Sequence, residues 1–235
     1  MKLLSAALAG ALLSASNAGA QAPSPAPMQA SADPFIWLED IDSPRAMAWV
    51  EAQNARTAKR LEGDARYDQF LKAGRAIFTA TDRIPQPTFR AGGVDNFWQD
   101  AAQTHGVWRH TSQASFRTAT PAWDVVLDID KLAAAEKRNW FWKGTTCLKP
   151  AETTCLAQLS DGGGDAVELR EFDTLAKRFV EGGFYSAEGK QGADWIDADS
   201  LVAWREWTPG EVTASGYAYV VKIVGRSGAP QEIFR

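Results

Sequence analysis

LSDGGGDAVELREFD, residues Leu159–Asp173, has the pattern of a β-hairpin. Three glycines between two aspartates supply a turn, and apolar Val167 and Leu169 then alternate with charged Glu168 and Arg170. Strict alternation of this kind is typical of a strand with one buried face. The stretch therefore predicts two consecutive antiparallel strands.

Outward from this hairpin, the chain from Pro85 onward has the same character. Short alternating runs are punctuated by Gly, Asp and Pro at the spacing expected of an all-β array. Such an array can be a sandwich, a barrel or a propeller, and the spacing alone does not decide between them. The predicted strands are Asn96–Asp100, Val107–Thr111, Ala114–Thr118, Asp124–Asp128, Arg138–Lys143, Leu156–Leu159, Ala166–Phe172, Arg178–Phe184, Leu201–Trp207 and Tyr217–Val224.

The segment before the strands is helical in pattern. Ser43 can cap a helix that has Pro44 at its first position, where the missing N–H is not needed. Apolar residues then recur at helical spacing, which predicts two helices between about Pro44 and Ala80.

The first 30 residues predict export. One lysine, an apolar run from Leu3 to Leu13 and the ending Ala18–Ala20 form the pattern of a secretory signal peptide, so residues 1–20 are expected to be removed. The apolar run is too short to span a bilayer, and no cysteine follows it to carry a lipid anchor. Residues 21–32, rich in Pro and Ala, are predicted to be a flexible linker. The chain is expected to be periplasmic or secreted, with no membrane anchor after cleavage.

Export affects the interpretation of the two cysteines, Cys147 and Cys155. An oxidising compartment lets them pair across the intervening LKPAETT, and the alternative is two independent buried thiols. Two cysteines and two distant histidines do not have zinc-ligand spacing, so no metal and no cofactor is expected. The net charge of −4, without a basic stripe, makes nucleic acid an unlikely partner.

No catalytic constellation is evident in the sequence. The G-x-S-x-G turn of an α/β-hydrolase is absent, and His105 and His110 precede almost every serine of the mature chain, which excludes the order Ser, Asp, His. Both histidines are interpreted as polar structural residues. The acidic residues of GADWIDADSL could be paired glycosidase carboxylates, but an acidic turn is the favoured interpretation; they are Asp194, Asp197 and Asp199. The DGGGD run lacks the Lys of a P-loop. No catalytic, cofactor-binding or metal-binding residue is therefore assigned.

One segment carries a family resemblance. DPFIWLEDIDSPRAMAWVEAQNARTAKRL, from Asp33 to Leu61, is similar to the amino-terminal signature of the prolyl oligopeptidase family of serine peptidases. Later phrases, including VDNFWQDAAQTHGVWRHTS and WDVVLDIDKLAAAEKRNWFWKG, resemble the first propeller strands of that family. The resemblance extends from Asp33 to Arg235.

The resemblance implies an architecture and a function. The chain would be mainly β with a short N-terminal helical segment: residues 33–82 a strap with helices, and residues 83–235 a partial β-propeller of about two blades. A catalytic α/β-hydrolase domain is expected beyond Arg235. The propeller would admit only short peptides, typically cleaved after proline, and this chain alone would be inactive. The alternative is a stand-alone exported binding or scaffold module derived from that family.

Overall fold

The structure is a computed structural model that describes residues 33–235. The predicted signal peptide (residues 1–20) and linker (residues 21–32) lie outside the described residues. The chain divides into two compact units, one ending at Tyr67 and one comprising Asp68–Arg235. Within the described range, no helix is both long and apolar enough to cross a membrane.

In the described part of the first unit, a short 3-10 helix, Ile36–Glu39, precedes helix α1, Pro44–Leu61. The predicted start of α1 is confirmed, because the Ser43 hydroxyl accepts a hydrogen bond from the Ala46 N–H at 3.2 Å. This bond satisfies one of the free donors of the first turn. The helical prediction also holds for α2, Tyr67–Phe78, nearly all of which belongs to the second unit.

The second unit contains three antiparallel sheets in which strands mostly pair in chain order. The first sheet has the order β1 to β4, the second β5 to β8 with β9 paired to β7, and the third β10 to β13. Their bounds are β1 Thr88–Arg90, β2 Gly93–Trp98, β3 Val107–Ser112, β4 Asp124–Asp128, β5 Trp140–Cys147, β6 Thr154–Asp161, β7 Val167–Asp173, β8 Arg178–Phe179, β9 Tyr185–Gly189, β10 Gly192–Asp197, β11 Ser200–Trp204, β12 Val221–Gly225 and β13 Gln231–Phe234.

The hairpin predicted at Leu159–Asp173 is confirmed as β6 and β7, with Leu159 opposite Glu168. Its turn requires glycine, since Gly162 and Gly163 have φ angles of 78° and 81°. The mainly β class is also confirmed.

The sequence predicted about two blades, whereas the second unit contains three sheets. The third sheet was incompletely predicted because β10 contains two aspartates and was interpreted as a loop, and because all four residues of β13 are exposed and show no alternation. The predicted strand Ala114–Thr118 is wrong as well. That segment contains α3, Gln113–Phe116, capped by the Ser112 hydroxyl, which accepts a hydrogen bond from Ser115 N–H at 3.1 Å. A further helix, α4 (Ile129–Glu136), follows β4.

The hydrophobic core lies mainly between neighbouring sheets. Trp108 of the first sheet packs with Trp142 and Phe172 of the second, with ring centroids 5.2 and 5.9 Å apart. Between the second and third sheets, Leu156 and Leu169 pack with residues of β10 and β11 in one cluster. The second sheet is thus covered on both faces.

Candidate functional site

Both histidines are hydrogen-bonded inside the structure. His105 Nδ1 lies 2.8 Å from the Trp140 carbonyl oxygen, and His110 Nδ1 lies 2.6 Å from Asp95 Oδ1. Within residues 33–235, neither ring is hydrogen-bonded to a serine, threonine or cysteine side chain. The nucleophile and base pairing that serine catalysis requires is therefore not present in this range.

The acidic residues around the β10–β11 turn are structural. Asp197 Oδ1 accepts hydrogen bonds from the Asp199 N–H at 2.9 Å and the Ser200 hydroxyl at 2.8 Å. The Ser200 hydroxyl, and after it the Asp199 N–H, lowers the pKa of Asp197 from its usual value. A glycosidase general acid needs a raised pKa, whereas the pKa of Asp197 is lowered, so Asp197 is not suited to that role.

Cys147 and Cys155 are joined by a disulfide in the structure, with their sulfur atoms 2.02 Å apart. They are directly opposite each other where β5 and β6 meet the intervening loop. In the part of the chain that the structure describes, no group of three or more His, Cys, Asp or Glu residues is arranged to hold a metal ion.

A polar region of the interior lies at the junction of the first and second sheets. Arg90 and Asp95, each under a tenth exposed, form an ion pair across the β1–β2 hairpin. Asp95 also accepts a hydrogen bond from Trp108 Nε1 at 2.8 Å and contacts His110. These partners neutralise the buried carboxylate and satisfy its oxygens, as a desolvated charge requires.

Arg90 extends this network into the second sheet. Its Nη1 donates to the Glu152 carbonyl oxygen at 2.7 Å and to the Thr174 hydroxyl at 3.2 Å. A crevice of about 360 Å³, lined in part by Arg90, His110 and Pro150, opens beside these contacts. The arrangement fixes the first sheet against the second.

A second ionic contact joins the second and third sheets. Arg226 donates through Nη1 and Nη2 to the two carboxylate oxygens of Glu171, both at 3.0 Å. The Glu171 side chain is 4% exposed. The Glu171 hydrogen bonds raise the pKa of Arg226 above its usual value. An adjacent apolar cavity of about 70 Å³, lined by Leu156 and Ala203 among others, lies within the same junction.

A third arginine joins α4 to the second sheet. Arg170 donates to both carboxylate oxygens of Glu136 at 2.6 and 2.9 Å, and it also pairs with Glu168. The pKa of Glu136 is lowered, first by Arg170 and then by the hydrogen bond from Trp140 Nε1. The described residues therefore present a charged framework that positions sheets, and this framework has no reacting group.

Sequence reasoning missed this framework, although one signal was available. FRAGGVDN places Arg90 and Asp95 on either side of a turn, and Ala91 and Gly92 both have positive φ angles there. Interpreted as a hairpin, the stretch would have predicted β1 and the pairing of the two charges.

Comparison with known proteins agrees with this architecture. The family described as "Prolyl oligopeptidase, N-terminal beta-propeller domain" matches residues 17–232. The uncharacterized peptidase y4nA of Sinorhizobium fredii is 46% identical over 209 residues, which are 87% of this chain and 29% of that protein. The uncharacterized peptidase RP174 of Rickettsia prowazekii is 28% identical over 189 residues, covering 77% of this chain and 26% of that protein.

Among solved structures, a post-proline cleaving enzyme from Rickettsia typhi superposes with a TM-score of 0.76 at 28% identity, over 85% of this chain and 30% of that one. Oligopeptidase B from Leishmania major has a TM-score of 0.63 at 10% identity, over 86% and 28%, and shows the fold alone. The chain spans less than a third of the length of each of these proteins. The resemblance stated from the sequence is confirmed: the chain belongs to the prolyl oligopeptidase family and shares its N-terminal β-propeller.

Proposed function

We propose that this chain is the amino-terminal part of an exported serine peptidase, in which its three sheets form part of a propeller that restricts access to a catalytic α/β-hydrolase domain. The observation that carries the proposal is the 46% identity to a peptidase of which this chain spans 29%. The three antiparallel sheets agree with that position in the longer protein.

The substrates proposed are short peptides cleaved after proline. The similar enzyme from Rickettsia typhi is described as post-proline cleaving, which supports this specificity. The reaction would be acyl transfer, in which a serine activated by a histidine attacks the peptide carbonyl and water then releases the product. The groups that break the bond would belong to the hydrolase domain. This chain would contribute none of them.

The role of this chain would be to hold its packed sheets in fixed positions. Each junction between neighbouring sheets has a desolvated apolar core, and at each an arginine reaches the opposite sheet: Arg90 at the first junction and Arg226 at the second. Closely packed faces of this kind move little without the loss of packing energy. They are therefore suited to excluding large substrates, since no folded protein can pass between them.

The test begins with the exported fraction of the source cell. Intact mass and amino-terminal sequencing of the native product should show a polypeptide much longer than this chain, beginning at Gln21. That product should hydrolyse a short fluorogenic peptide with proline before the scissile bond. It should hydrolyse the matched alanine peptide and a folded protein far more slowly.

The control is the isolated 235-residue chain, which should hydrolyse none of these substrates. A stable exported product of only residues 21–235 would contradict the proposed peptide hydrolysis and favour the binding-module alternative. A long product that cleaves both short peptides equally would contradict the proline specificity.

A further inference from the structure

The loop between β5 and β6, residues 148–153 and here called the hairpin tip, reaches from the second sheet to the first. Glu152 in this tip makes two contacts with the β1–β2 turn. Its carbonyl oxygen accepts from Arg90 Nη1 at 2.7 Å, and its Oε2 accepts from the Ala91 N–H at 2.8 Å. One residue of the second sheet therefore supplies two of the hydrogen bonds that join it to the first.

Glu152 makes these contacts from an unfavourable backbone conformation. Its φ angle is +56°, in the left-handed region of backbone conformation that residues with a Cβ rarely adopt. Within the tip, its N–H donates to the Leu148 carbonyl oxygen at 2.8 Å. A residue in such a conformation stays there only when its surroundings hold it. The position of Glu152 thus depends on the closure of the tip.

The disulfide closes the base of this tip. Cys147 and Cys155 flank it and are directly opposite each other in the strand register. Cys155 is fully buried and packs in the cluster that contains Trp108 and Phe172. The bond therefore fastens the ends of the tip to the core shared by the first and second sheets.

We propose that the Cys147–Cys155 disulfide is a redox-sensitive latch, which positions Glu152 to hold the β1–β2 turn against the second sheet and releases that turn when the bond is reduced. The proposal rests on the proposed export, because the bond would persist in an oxidising compartment. Glu152 is a positioning residue here and takes no part in peptide hydrolysis.

Reduction proceeds by thiol–disulfide exchange with a dithiol. Cys147 is the less buried of the two cysteines, so a thiolate of the reductant attacks its sulfur. Cys155 then leaves as a thiolate that takes up a proton. The second thiol of the reductant then displaces Cys147. Two electrons pass to the protein, which gains two thiols, and the reductant becomes a cyclic disulfide.

The test uses the full chain, oxidised in vitro, with dithiothreitol as the dithiol. The readout is the amide proton resonance of Ala91 as a function of pH, because that amide donates to the Glu152 carboxylate. The Lys149 ammonium, and after it the Ala91 N–H, lowers the pKa of Glu152, and Arg90 adds to the effect. In the oxidised chain the Ala91 resonance should therefore titrate below the usual range of a glutamate.

After reduction, the Ala91 titration should be lost while the amide of Ala203 in the third sheet keeps its resonance. Glu152→Ala should abolish the Ala91 titration in the oxidised chain. Glu181→Ala, at an exposed glutamate in another turn, is the matched control and should leave the titration intact.

Three results would overturn the proposal. One is an Ala91 titration that persists after reduction, since the bond would then not position Glu152. The second is simultaneous loss of the Ala91 and Ala203 resonances, which would make the bond a general stabiliser of the unit. The third is an intact mass that shows two thiols after oxidation. None of these results depends on peptidase activity, so they are distinct from failure of the proposed function.

Discussion

Replacing Arg226 with alanine tests how the third sheet is held to the second. The guanidinium makes two hydrogen bonds of 3.0 Å to Glu171, whose side chain is 4% exposed. Glu171 Oε2 also accepts from the Phe184 N–H at 2.7 Å. In Arg226→Ala the carboxylate stays desolvated with its charged partner gone, which is the costly way to break an ion pair.

The size of the effect follows from burial. Breaking a fully buried pair by removing one partner costs about 3–5 kcal/mol, whereas a surface pair contributes about 0–1 kcal/mol. The Arg226 side chain is 36% exposed, so water can partly replace it, and we expect a loss of about 2–3 kcal/mol between these limits. Arg226→Lys keeps the charge but loses the two-pronged geometry, and should cost about half as much.

The assay is denaturant unfolding followed by far-UV circular dichroism, with a double-mutant cycle that includes Glu171→Gln. The coupling energy should be at least about 1 kcal/mol, because the neutral amide removes the buried charge that Arg226→Ala leaves without its partner. Arg66→Ala is the control, since Arg66 pairs with Asp64 in an exposed site and should show no measurable change. If Arg226→Ala lowers the unfolding free energy by less than about 0.5 kcal/mol and the coupling is near zero, the reasoning is refuted.

Three further predictions concern the interior of the second unit. Arg170 lowers the pKa of Glu136 in the folded state, so this carboxylate stabilises the fold at pH values above its unfolded-state pKa of about 4.5. That contribution is lost as the pH falls through the folded-state pKa. Glu136→Gln should therefore flatten the decline of unfolding midpoints below pH 5. Leu159→Ala removes a fully buried side chain and should lower the unfolding free energy by about 2–5 kcal/mol, whereas Leu175→Ala, at a side chain that is 78% exposed, should change it by less than about 0.5 kcal/mol; equal effects would contradict the assigned core. Gly93→Ala would place a Cβ 2.5 Å from a histidine ring and a backbone oxygen, and should cost about 1–3 kcal/mol in the same assay; a neutral result would contradict the close approach.

Elements with strong local signals could be predicted from the sequence. The start of α1 was predictable because Ser43 and Pro44 each have a specific effect on a helix end. The β6–β7 hairpin was predictable because its glycine turn and the alternation that follows agree. In both cases, neighbouring residues alone determine the local structure.

Elements whose burial is set by distant residues were harder to predict. In β10, Ala193 and Trp195 face the second sheet while Asp194 faces away, so an aspartate that indicated a loop lies on the outer face of a strand; Asp197 is the last residue of that strand. Strand β13 is fully exposed and is defined only by its pairing with β12. Its sequence therefore contains no alternation to detect, and the third sheet was underestimated.

The contacts by which the charged framework joins one sheet to the next could not be predicted from the sequence, because their partners are far apart along the chain. Arg90 and Thr174 are 84 positions apart, and Arg226 and Glu171 are 55 apart. No periodicity links such positions, and only the packing of sheets brings them together. The residues that set the fold locally and those that join the sheets are thus different sets.

The two junctions use arginine in physically different ways. Arg90 has its counter-ion, Asp95, on its own sheet, so its contacts with the second sheet are to neutral acceptors: a carbonyl oxygen and a hydroxyl. Arg226 has its counter-ion, Glu171, on the opposite sheet. Separating the first sheet from the second would leave the Arg90 charge neutralised. Arg90 itself would lose only hydrogen bonds to neutral groups, whose strength depends on exact geometry more than on charge. Separating the second sheet from the third would pull two opposite charges apart, which their hydration in water would partly offset. The first junction therefore depends on the precise placement of Glu152, and the second depends mainly on charge complementarity.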